Sequence, residues 1–588
     1  MESGPLEAQR TSSCRGLALT ALLILPILCG LAFFNGLGQL GLTDKTEALF
    51  VEVSRQMLVR HDPVTPWWNG AHFFDYPVWG YWMVAGSFRL FGLSETAARL
   101  PSALAASTVV ASAFGLMLAW SPDGEAGRSR WGRALLAAGV LSTSPGWIGW
   151  GRVATTDMFL SSAVTLALFS FLLAHRCSDE PLSGAAGRTG FALFAAIAVL
   201  AKGPVGLLLP GLVIVVFLSL TGQWGRWCRP GALLAMAALF TGVVLPWYVA
   251  ATQANGSTFL DAFLGFSNVQ RFTSVLYRHP GPPWFYLPWL LLLLLPWSLF
   301  LPSAMAATRF WSWNRWRRAP LDRSLELPLF LLLWLVLMVA FFSAAATKLP
   351  GYILPSLPAG SLLVALWWQP LPGAAPPGER ALAWSGGGNA LLLGLLAPAA
   401  AIAPRWAAND PAHPGFGAAL GASGLPLRLS VLLALGAIAC VVLLLQSDRR
   451  RWLWLPNMAT FLAILSLVIA PLAPLLDRER QLPIRQLSIA AREASQPHEP
   501  LWVIGTRRYS VLFYSDRNAV FLDGRRPIRR GLRQDPASLG LSPASRSVLL
   551  LGDRHALDKL DLPAGAVQRL QQRDQQELWR VRREDLLP

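Results

Sequence analysis

Long apolar runs broken by short polar segments dominate the chain from residue 16 to residue 475, and the pattern then changes. The runs lie near 16–38, 97–120, 134–151, 157–174, 189–201, 203–221, 231–250, 284–303, 326–346, 352–368, 383–402, 428–446 and 453–475. A helix needs about 20 mostly apolar residues to cross the hydrocarbon core of a bilayer. The pattern therefore predicts a polytopic α-helical membrane protein with about thirteen transmembrane helices. Prolines inside several runs do not argue against helices, because membrane helices accept them. Only Lys202-Gly203 separates the fifth run from the sixth, so that pair reads as two spans or as one. Beyond residue 477 the apolar stretches shorten. LWVIGT (501–506), AVFLD (519–523), SVLLLGD (547–553) and ELWRVR (577–582) read as strands, and 484–495 and 508–515 as helices. The expected division is a membrane domain, 1–476, followed by a small α/β domain, 477–588.

Charge assigns sides to this arrangement. Arg128, Arg130 and Arg133, then Arg226 and Arg229, then the stretch Arg309 to Arg323, then Arg449 to Arg451 fall on loops of one side, together with Arg10 and Arg15. Basic loops stay cytoplasmic. The N-terminus is thus expected inside, and loop 39–96 and the C-terminal domain outside, in the periplasm if the membrane is a bacterial inner membrane. MESGPLEAQR is not a basic leader, and the first run lacks a small-residue cleavage site, so it reads as an anchor. Cys14, Cys177 and Cys228 fall on the inner side and Cys29 and Cys440 within spans, which leaves no pair for an outer disulfide.

Composition narrows the function classes. A net charge of +17 on a soluble protein would suggest nucleic acid, but 54% of these residues are hydrophobic and only 14% charged. Soluble domains carry about 25% charged residues. Topology accounts for most of the basic excess, and the remainder in the C-terminal region suits anionic headgroups or phosphates. The 26 tryptophans suit the membrane interface. The C-terminal region holds no G-x-G-x-x-G or Walker loop, and no Cys/His spacing suggests zinc.

The chemistry gathers on the expected outer face. In LTDKTEALFVEVSRQML (42–58), Glu47, Phe50, Val51 and Ser54 recur at helical spacing, which predicts an interfacial amphipathic helix. Glu52 falls on its wet side as a solvated acid, whereas Asp44 and Glu47 fall where other polar groups converge. Asp157 opens a span in GRVATTDMFLSS (151–162). An acid inside a membrane helix costs about 2.5–3.5 kcal/mol, and capping by Thr155, Thr156 or Asp157, worth about 1 kcal/mol, is the competing reading. Lys202 in AKGPVGLLLPG and Lys348 in ATKLPGYILPSLPA sit at outer junctions, against the positive-inside trend. Each reads as a snorkelling lysine or as a phosphate ligand. Loop 251–283 adds Asn268, Arg271 and His279. Carboxylates that can take an acceptor proton, beside cations that can stabilise a departing phosphate, suit a reaction between a lipid-borne phosphate ester and a hydroxyl.

The same segments resemble the GT-C glycosyltransferases of the aminoarabinose transferase and protein O-mannosyltransferase group. The resemblance runs from about residue 39 to 360 through EALFVEVSRQML, FFDYPVWGYW, GLSETAARLPSAL, GRVATTDM, AKGPVGLLLPGLV, LPWYVA, NVQRFT with HPGPPWFY, and TKLPGYILPSLPA. It implies an inverting membrane enzyme that takes a sugar from a polyprenyl-phosphate lipid to a lipid, glycan or protein acceptor. It also implies catalytic acids among Asp44, Glu47 and Asp157, a donor phosphate held by Lys348, Arg271, Lys202 and Tyr352, and substrate contacts from Asp75, Tyr76, Tyr81, Asn268 and His279. The chain departs from the family at two places. The usual Asp-Glu pair falls on Thr46-Glu47, with Asp44 two residues earlier as the displaced acid. The usual Phe-Glu-Lys-Pro-Pro is Phe74-Asp75-Tyr76-Pro77-Val78, so a phosphate-contacting lysine is replaced by Tyr76. That shifts weight to Lys348, Arg271 and Tyr352 and away from aminoarabinose as the sugar. A lipid-linked sugar transporter would show inverted repeats with broken helices at the bilayer midplane, and an assembly scaffold would not need acids and cations in this order. The side chains assemble no complete metal site; dependence on a divalent metal and oligomeric state stay open.

Overall fold

The computed structural model describes residues 4–122, 125–263, 274, 279–316, 322–410, 413, 415–505, 507–563 and 565–586, with backbone alone for 4–15, 17, 313 and 323. Among the described residues nine helices are long and apolar enough to cross a membrane: Glu95–Trp120, Thr156–Arg176, Pro181–Lys202, Pro230–Phe263, Ser324–Ala344, Pro350–Trp368, Glu379–Ala407, Leu425–Leu445 and Trp454–Ala494. Shorter apolar helices occupy Ala18–Phe34, Val205–Thr221, Pro283–Leu293 and Trp297–Ala307. The run at 134–151 divides into Gly127–Ser142 and Pro145–Gly151, because Pro145 starts a new helix. Two helices, not one, flank Lys202-Gly203. Gly203 has φ +83°, and a Cβ on Gly206 would lie 2.3 Å from the Ala198 carbonyl carbon. Only glycine lets the second helix turn back so closely on the first.

Thr156–Arg176 and Pro350–Trp368 are almost wholly buried and form the centre of the bundle. Pro230–Phe263 and Leu425–Leu445 present most of their surface outward, with Leu234, Leu427 and Leu435 exposed. A helix apolar all round is what a lipid environment demands. Two polar clusters lie inside the bundle. Arg133 binds Glu125, Ser121 and the carbonyls of Gln369 and Pro370. His175 Nε2 lies 2.9 Å from both Gln223 and Glu326. Both clusters lie at the end of the bundle opposite loop 39–96.

That loop folds into a helix, Thr46–Val59, a hairpin of β1 (Trp67–Trp68) and β2 (Ala71–His72), and a second helix, Trp79–Phe91. Asn69 and Gly70, with φ +51° and +82°, make the two-residue turn that matches strand twist.

The C-terminal domain carries a five-stranded sheet in the order β4-β3-β5-β7-β6, from β3 (Leu501–Ile504), β4 (Ala519–Leu522), β5 (Ser547–Asp553), β6 (Val567–Arg573) and β7 (Gln576–Arg582). β4, β3 and β5 run parallel, and β7 and β6 continue antiparallel. β3 is buried on both faces, which explains its unbroken apolar LWVI. Leu501 and Val503 pack with helices Leu482–Ala494 and Ser510–Ser515, and Trp502 and Ile504 with helix Arg525–Gln534. Helix Arg525–Gln534 and strand β6 are additions to the elements expected from sequence. Trp454–Ala494 runs through residue 477 as one helical stretch, so the domain grows directly out of the last span.

A candidate active site at the membrane face

The site is built around Glu47, in the first turn of helix Thr46–Val59. Its Oε2 accepts from Thr43 N at 2.9 Å, Thr43 Oγ1 at 2.8 Å and Arg99 Nη2 at 2.8 Å. Its Oε1 accepts from Arg99 Nε at 2.7 Å and Ala154 N at 3.1 Å. Arg99 also donates to the carbonyls of Leu37, Leu40 and Gly41. Burial pushes the Glu47 carboxyl up, but Arg99 and the N–H groups of Thr43 and Ala154 outweigh it and hold the group below the usual carboxylate range. One ionised side chain thereby joins the segment that carries Asp44 to the segment that leads into Asp157.

Asp44 does not lie open at the membrane surface. The C-terminal domain covers it, leaving its side chain 9% exposed. Its carboxylate accepts from Ser510 N at 2.8 Å and Ser510 Oγ at 2.9 Å, with Arg508 at 3.9 Å. Burial pushes this carboxyl up more than Ser510 and Arg508 pull it down, so it sits above its ordinary value. The same interface joins Gly41 N to Asp477, Leu42 N to the Tyr514 hydroxyl and Arg55 to Asp516, and pairs the Asn69 amide with both backbone groups of Ala519. Glu52 is likewise not solvated: it is buried and accepts from Arg55 and Gln56.

Asp157 forms an ion pair with Lys202. Lys202 Nζ lies 5.0 Å from the ring centre of Tyr352 and 5.9 Å from that of Tyr76, so a cation rests between two aromatic faces. Thr155, at the N-cap of helix Thr156–Arg176, makes no side-chain capping bond, and Thr156 Oγ1 donates instead to Ala201 O at 2.7 Å. The Lys202 contact, not capping, engages the Asp157 carboxylate. A Cβ on Gly351 would fall 2.7 Å from Asp157 Oδ2 and 2.9 Å from Trp150 Cζ2, so this glycine is what lets KLPGY approach the acid. Tyr81 is fully buried, 4.6 Å from the Phe50 ring centre, and its hydroxyl has no hydrogen-bond partner among the described residues. Burial, with Asp75 and Tyr76 nearby, keeps it protonated, so it presents an unused donor.

Lys348 stands differently. Its Nζ donates to the carbonyls of Phe342 (3.3 Å), Ser343 (2.7 Å) and Ala345 (2.5 Å), closing the C-terminus of helix Arg323–Ala344. Its backbone N–H donates to the carbonyl of His279, whose side chain is exposed. Asn268 and Arg271 lie outside the described residues. Among the described residues no group of three His, Cys, Asp or Glu is placed to hold a metal. Arg99 was not singled out from sequence, although a buried arginine in an apolar helix is by default a functional or pairing group.

Two apolar grooves open beside the site. One, of about 440 Å³, is walled by residues that include Trp79, Trp82, Leu104, Phe159 and Leu166. The other, of about 400 Å³, runs between Ile148 and Leu465 and has Arg99 and Arg152 in its wall.

Comparison with known proteins adds to this geometry. Residues 75–249 match the profile of the dolichyl-phosphate-mannose-protein mannosyltransferase family, and residues 494–587 that of the C-terminal domain of cyanobacterial RgtA-type glycosyltransferases. The chain is similar to the undecaprenyl phosphate-alpha-4-amino-4-deoxy-L-arabinose arabinosyl transferase of Pseudomonas aeruginosa PAO1, 33% identical over 335 residues, 57% of each chain. It is also similar to the corresponding transferase of Edwardsiella ictaluri, 30% identical over 377 residues, 63% of each. The matched part thus spans less than two thirds of these relatives. The solved structure of ArnT from Cupriavidus metallidurans bound to undecaprenyl phosphate superposes with a TM-score of 0.72 at 21% identity, covering 96% of this chain and 98% of that one. In its ordered motifs and matched segments the chain is similar to the aminoarabinose transferase and protein O-mannosyltransferase group, and it shares the fold of the ArnT structure.

Proposed function

We propose that the protein transfers a sugar from a polyprenyl-phosphate lipid to a lipid, glycan or protein acceptor at the extracytoplasmic face of a bacterial inner membrane. The observation that carries this reading is the Glu47–Arg99 pair. It holds the Asp44 and Asp157 segments together beside apolar grooves, with Asp157 paired to a lysine that rests between two tyrosine rings.

In this reaction the acceptor oxygen bonds to the anomeric carbon from the side opposite the phosphate. The bond from that carbon to the phosphate oxygen breaks, the polyprenyl phosphate leaves with the electron pair, and configuration inverts. The acceptor proton goes to a carboxylate. Asp44 is the proposed base, since a carboxyl raised above its ordinary value holds a proton better near neutral pH. Lys202 exchanges its bond to Asp157 for the leaving phosphate, joined by Arg271, and Asp157 is freed to orient the acceptor. Charge-assisted contacts of this kind are roughly twice as strong as neutral ones. Glu47 positions both acids and does not react, because its two oxygens are filled by five donors. Tyr81 donates to a sugar or phosphate oxygen. The prenyl chain lies along the groove below Phe159. This sidedness is supported by the docking of the C-terminal domain on loop 39–96 and by Arg133, Arg226 and Arg450 at the other end of the bundle.

The test is to supply purified protein in nanodiscs with a polyprenyl-phosphate sugar and to follow release of polyprenyl phosphate. Envelope mass spectrometry with and without the gene identifies the glycosylated product. Movement of intact lipid-linked sugar across the membrane, with no release of polyprenyl phosphate, would replace transfer by transport.

A further inference from the structure

Where the C-terminal domain meets the hairpin β1–β2, the two enclose a cleft of about 730 Å³ whose wall includes Trp68, Asn69, Glu499, Arg517, Asn518 and Ser538. Its hydrogen-bonding groups are unevenly used. Trp68 stacks on Phe521, with ring centres 6.3 Å apart and planes 6° apart, and meets Tyr509 edge-on. Its indole Nε1 is buried and has no partner among the described residues. Arg517 donates through Nη2 to the Glu499 carbonyl, and its Nη1 is buried without a partner among the described residues. Both atoms can only donate.

Two acceptor groups on the wall are already occupied. The Glu499 carboxylate takes Ser547 Oγ at 2.5 Å, Arg580 Nε at 2.8 Å, Arg580 Nη2 at 3.1 Å and Gln496 N at 3.0 Å. Its charge is therefore compensated inside the domain. The Asn69 side chain is held at both ends by Ala519. A buried donor left unpaired loses its hydration without compensation, so the cleft calls for an acceptor-rich group with negative charge.

A second feature points the same way. Helix Arg525–Gln534 leads through Pro536–Leu539 to the cleft wall at Ser538. It exposes Arg526, Arg529, Arg530 and Arg533, and of its five arginines only Arg525 has a carboxylate partner among the described residues, Asp561 at 2.8 Å. Concentrated positive charge of this kind raises the local concentration of anions.

We propose that this cleft is a binding site for an anionic saccharide, a sugar unit bearing a carboxylate or phosphate, hydrogen-bonded by Trp68 Nε1 and Arg517 Nη1 and drawn in by the arginine helix. Its binding does not depend on the proposed transfer; only its role as a docking point for material on the acceptor side rests on that reading. The saccharide arrives either as a free chain or as the headgroup of a lipid, and the chemistry of recognition is the same.

Calorimetric titration of the full-length protein in nanodiscs tests this, with an oligogalacturonide and glucosamine 1-phosphate as free probes and maltotriose as the neutral control. A second arm carries a phosphorylated glycolipid in the nanodisc and reads displacement of the oligogalacturonide. The acidic probes bind at least about tenfold more tightly than maltotriose. Trp68→Phe, which keeps the stacked ring and removes the donor, weakens them about five- to tenfold. Arg517→Gln weakens them further, and Arg526→Gln with Arg530→Gln flattens the salt dependence. None of these variants changes release of polyprenyl phosphate from the donor. Displacement by the glycolipid assigns a headgroup, and its absence assigns a free chain. Equal affinity for maltotriose, no binding of either acidic probe, or binding indifferent to Trp68→Phe in a folded protein would overturn the site. Acidic probes that bind while no donor is consumed would leave the site standing and remove the transfer reading.

Discussion

Glu47 Oε1 and Arg99 Nε lie 2.7 Å apart, with the two side chains 0% and 3% exposed. The pair closes a junction at which three parts of the fold meet: the end of loop 37–43, helix Thr46–Val59, and the turn at Ala154 before the central span. Removing one member of a buried pair strands the other charge, at a cost of about 3–5 kcal/mol. Glu47→Gln is therefore expected to lower thermal stability in detergent sharply, and Arg99→Met to do the same. The double variant Glu47→Met with Arg99→Met recovers much of that loss, because apolar groups leave no stranded charge. Activity follows fold in this series. A Glu47→Gln protein of native stability that has lost turnover would instead make Glu47 a reacting group.

Asp157 and Lys202 are expected to behave oppositely. They are partly exposed at the membrane face, with side-chain exposures of 21% and 12%. Asp157→Asn and Lys202→Met should leave folding intact within about 1 kcal/mol. Turnover should fall about 10²–10⁴-fold for Asp157→Asn, and Lys202→Met should weaken donor binding. Single-turnover kinetics with donor titration separates the two. Equal effects of both variants on stability and none on transfer would reduce the pair to a structural contact.

Much of this arrangement is legible in sequence where the information is local. A span is encoded by its own twenty or so side chains, which is why the helical runs are visible without partners. The groups around Asp157 come from an ordered motif set: Lys202 pairs with it and lies between the rings of Tyr76 and Tyr352. Helical spacing alone puts Glu52 on a polar face, whereas in the fold it is buried against Arg55, which in turn pairs with Asp516 of the C-terminal domain. Asp44 is held by Ser510, 466 positions away, and no local pattern carries that pairing. Helix Arg525–Gln534 buries only Ile528, so it shows no apolar stripe. Strand β6, VQRLQQR, is an edge strand with few apolar side chains, so it carries no apolar alternation to mark it.

Asp44 carries a pH signature. Its folded-state carboxyl lies above the ordinary value of about 3.9. A native state that holds the proton more tightly than the unfolded chain gains stability from it below the ordinary value. That gain is lost as pH rises through the raised one. As a base the group works only when ionised, so kcat/KM should rise with pH across the window above the ordinary carboxylate range. Asp44→Asn should abolish this limb and flatten the stability profile over the same window, with little change in stability at neutral pH. A profile unchanged in Asp44→Asn would move the base role to Asp157.

Gly351→Ala probes the approach of KLPGY to the site. The added Cβ has no room beside Asp157 Oδ2 and Trp150 Cζ2, so one of them shifts. Overpacking of this kind costs about 1–3 kcal/mol. The expected result is a modest loss of thermal stability with a larger loss of turnover, because Asp157 is displaced. Wild-type turnover in Gly351→Ala would show that the position of Asp157 is not critical.

Lys348 separates two roles that a lysine at a span boundary can play. As it stands, its ammonium closes the carbonyl end of helix Arg323–Ala344 through Phe342, Ser343 and Ala345. A cation at that position is worth up to about 2 kcal/mol when partly buried. Lys348→Ala should therefore lower stability by about 1–2 kcal/mol and leave donor affinity close to wild type, whereas Lys202→Met should do the reverse. Tyr76→Lys places a second ammonium beside Lys202, so it should cost some stability in the empty site and should tighten donor binding if phosphate docks there. Donor affinities and unfolding temperatures of the three variants in nanodiscs decide the matter. A Lys348→Ala protein of native stability with weakened donor binding would return Lys348 to the phosphate and move the leaving group towards the 279–286 segment.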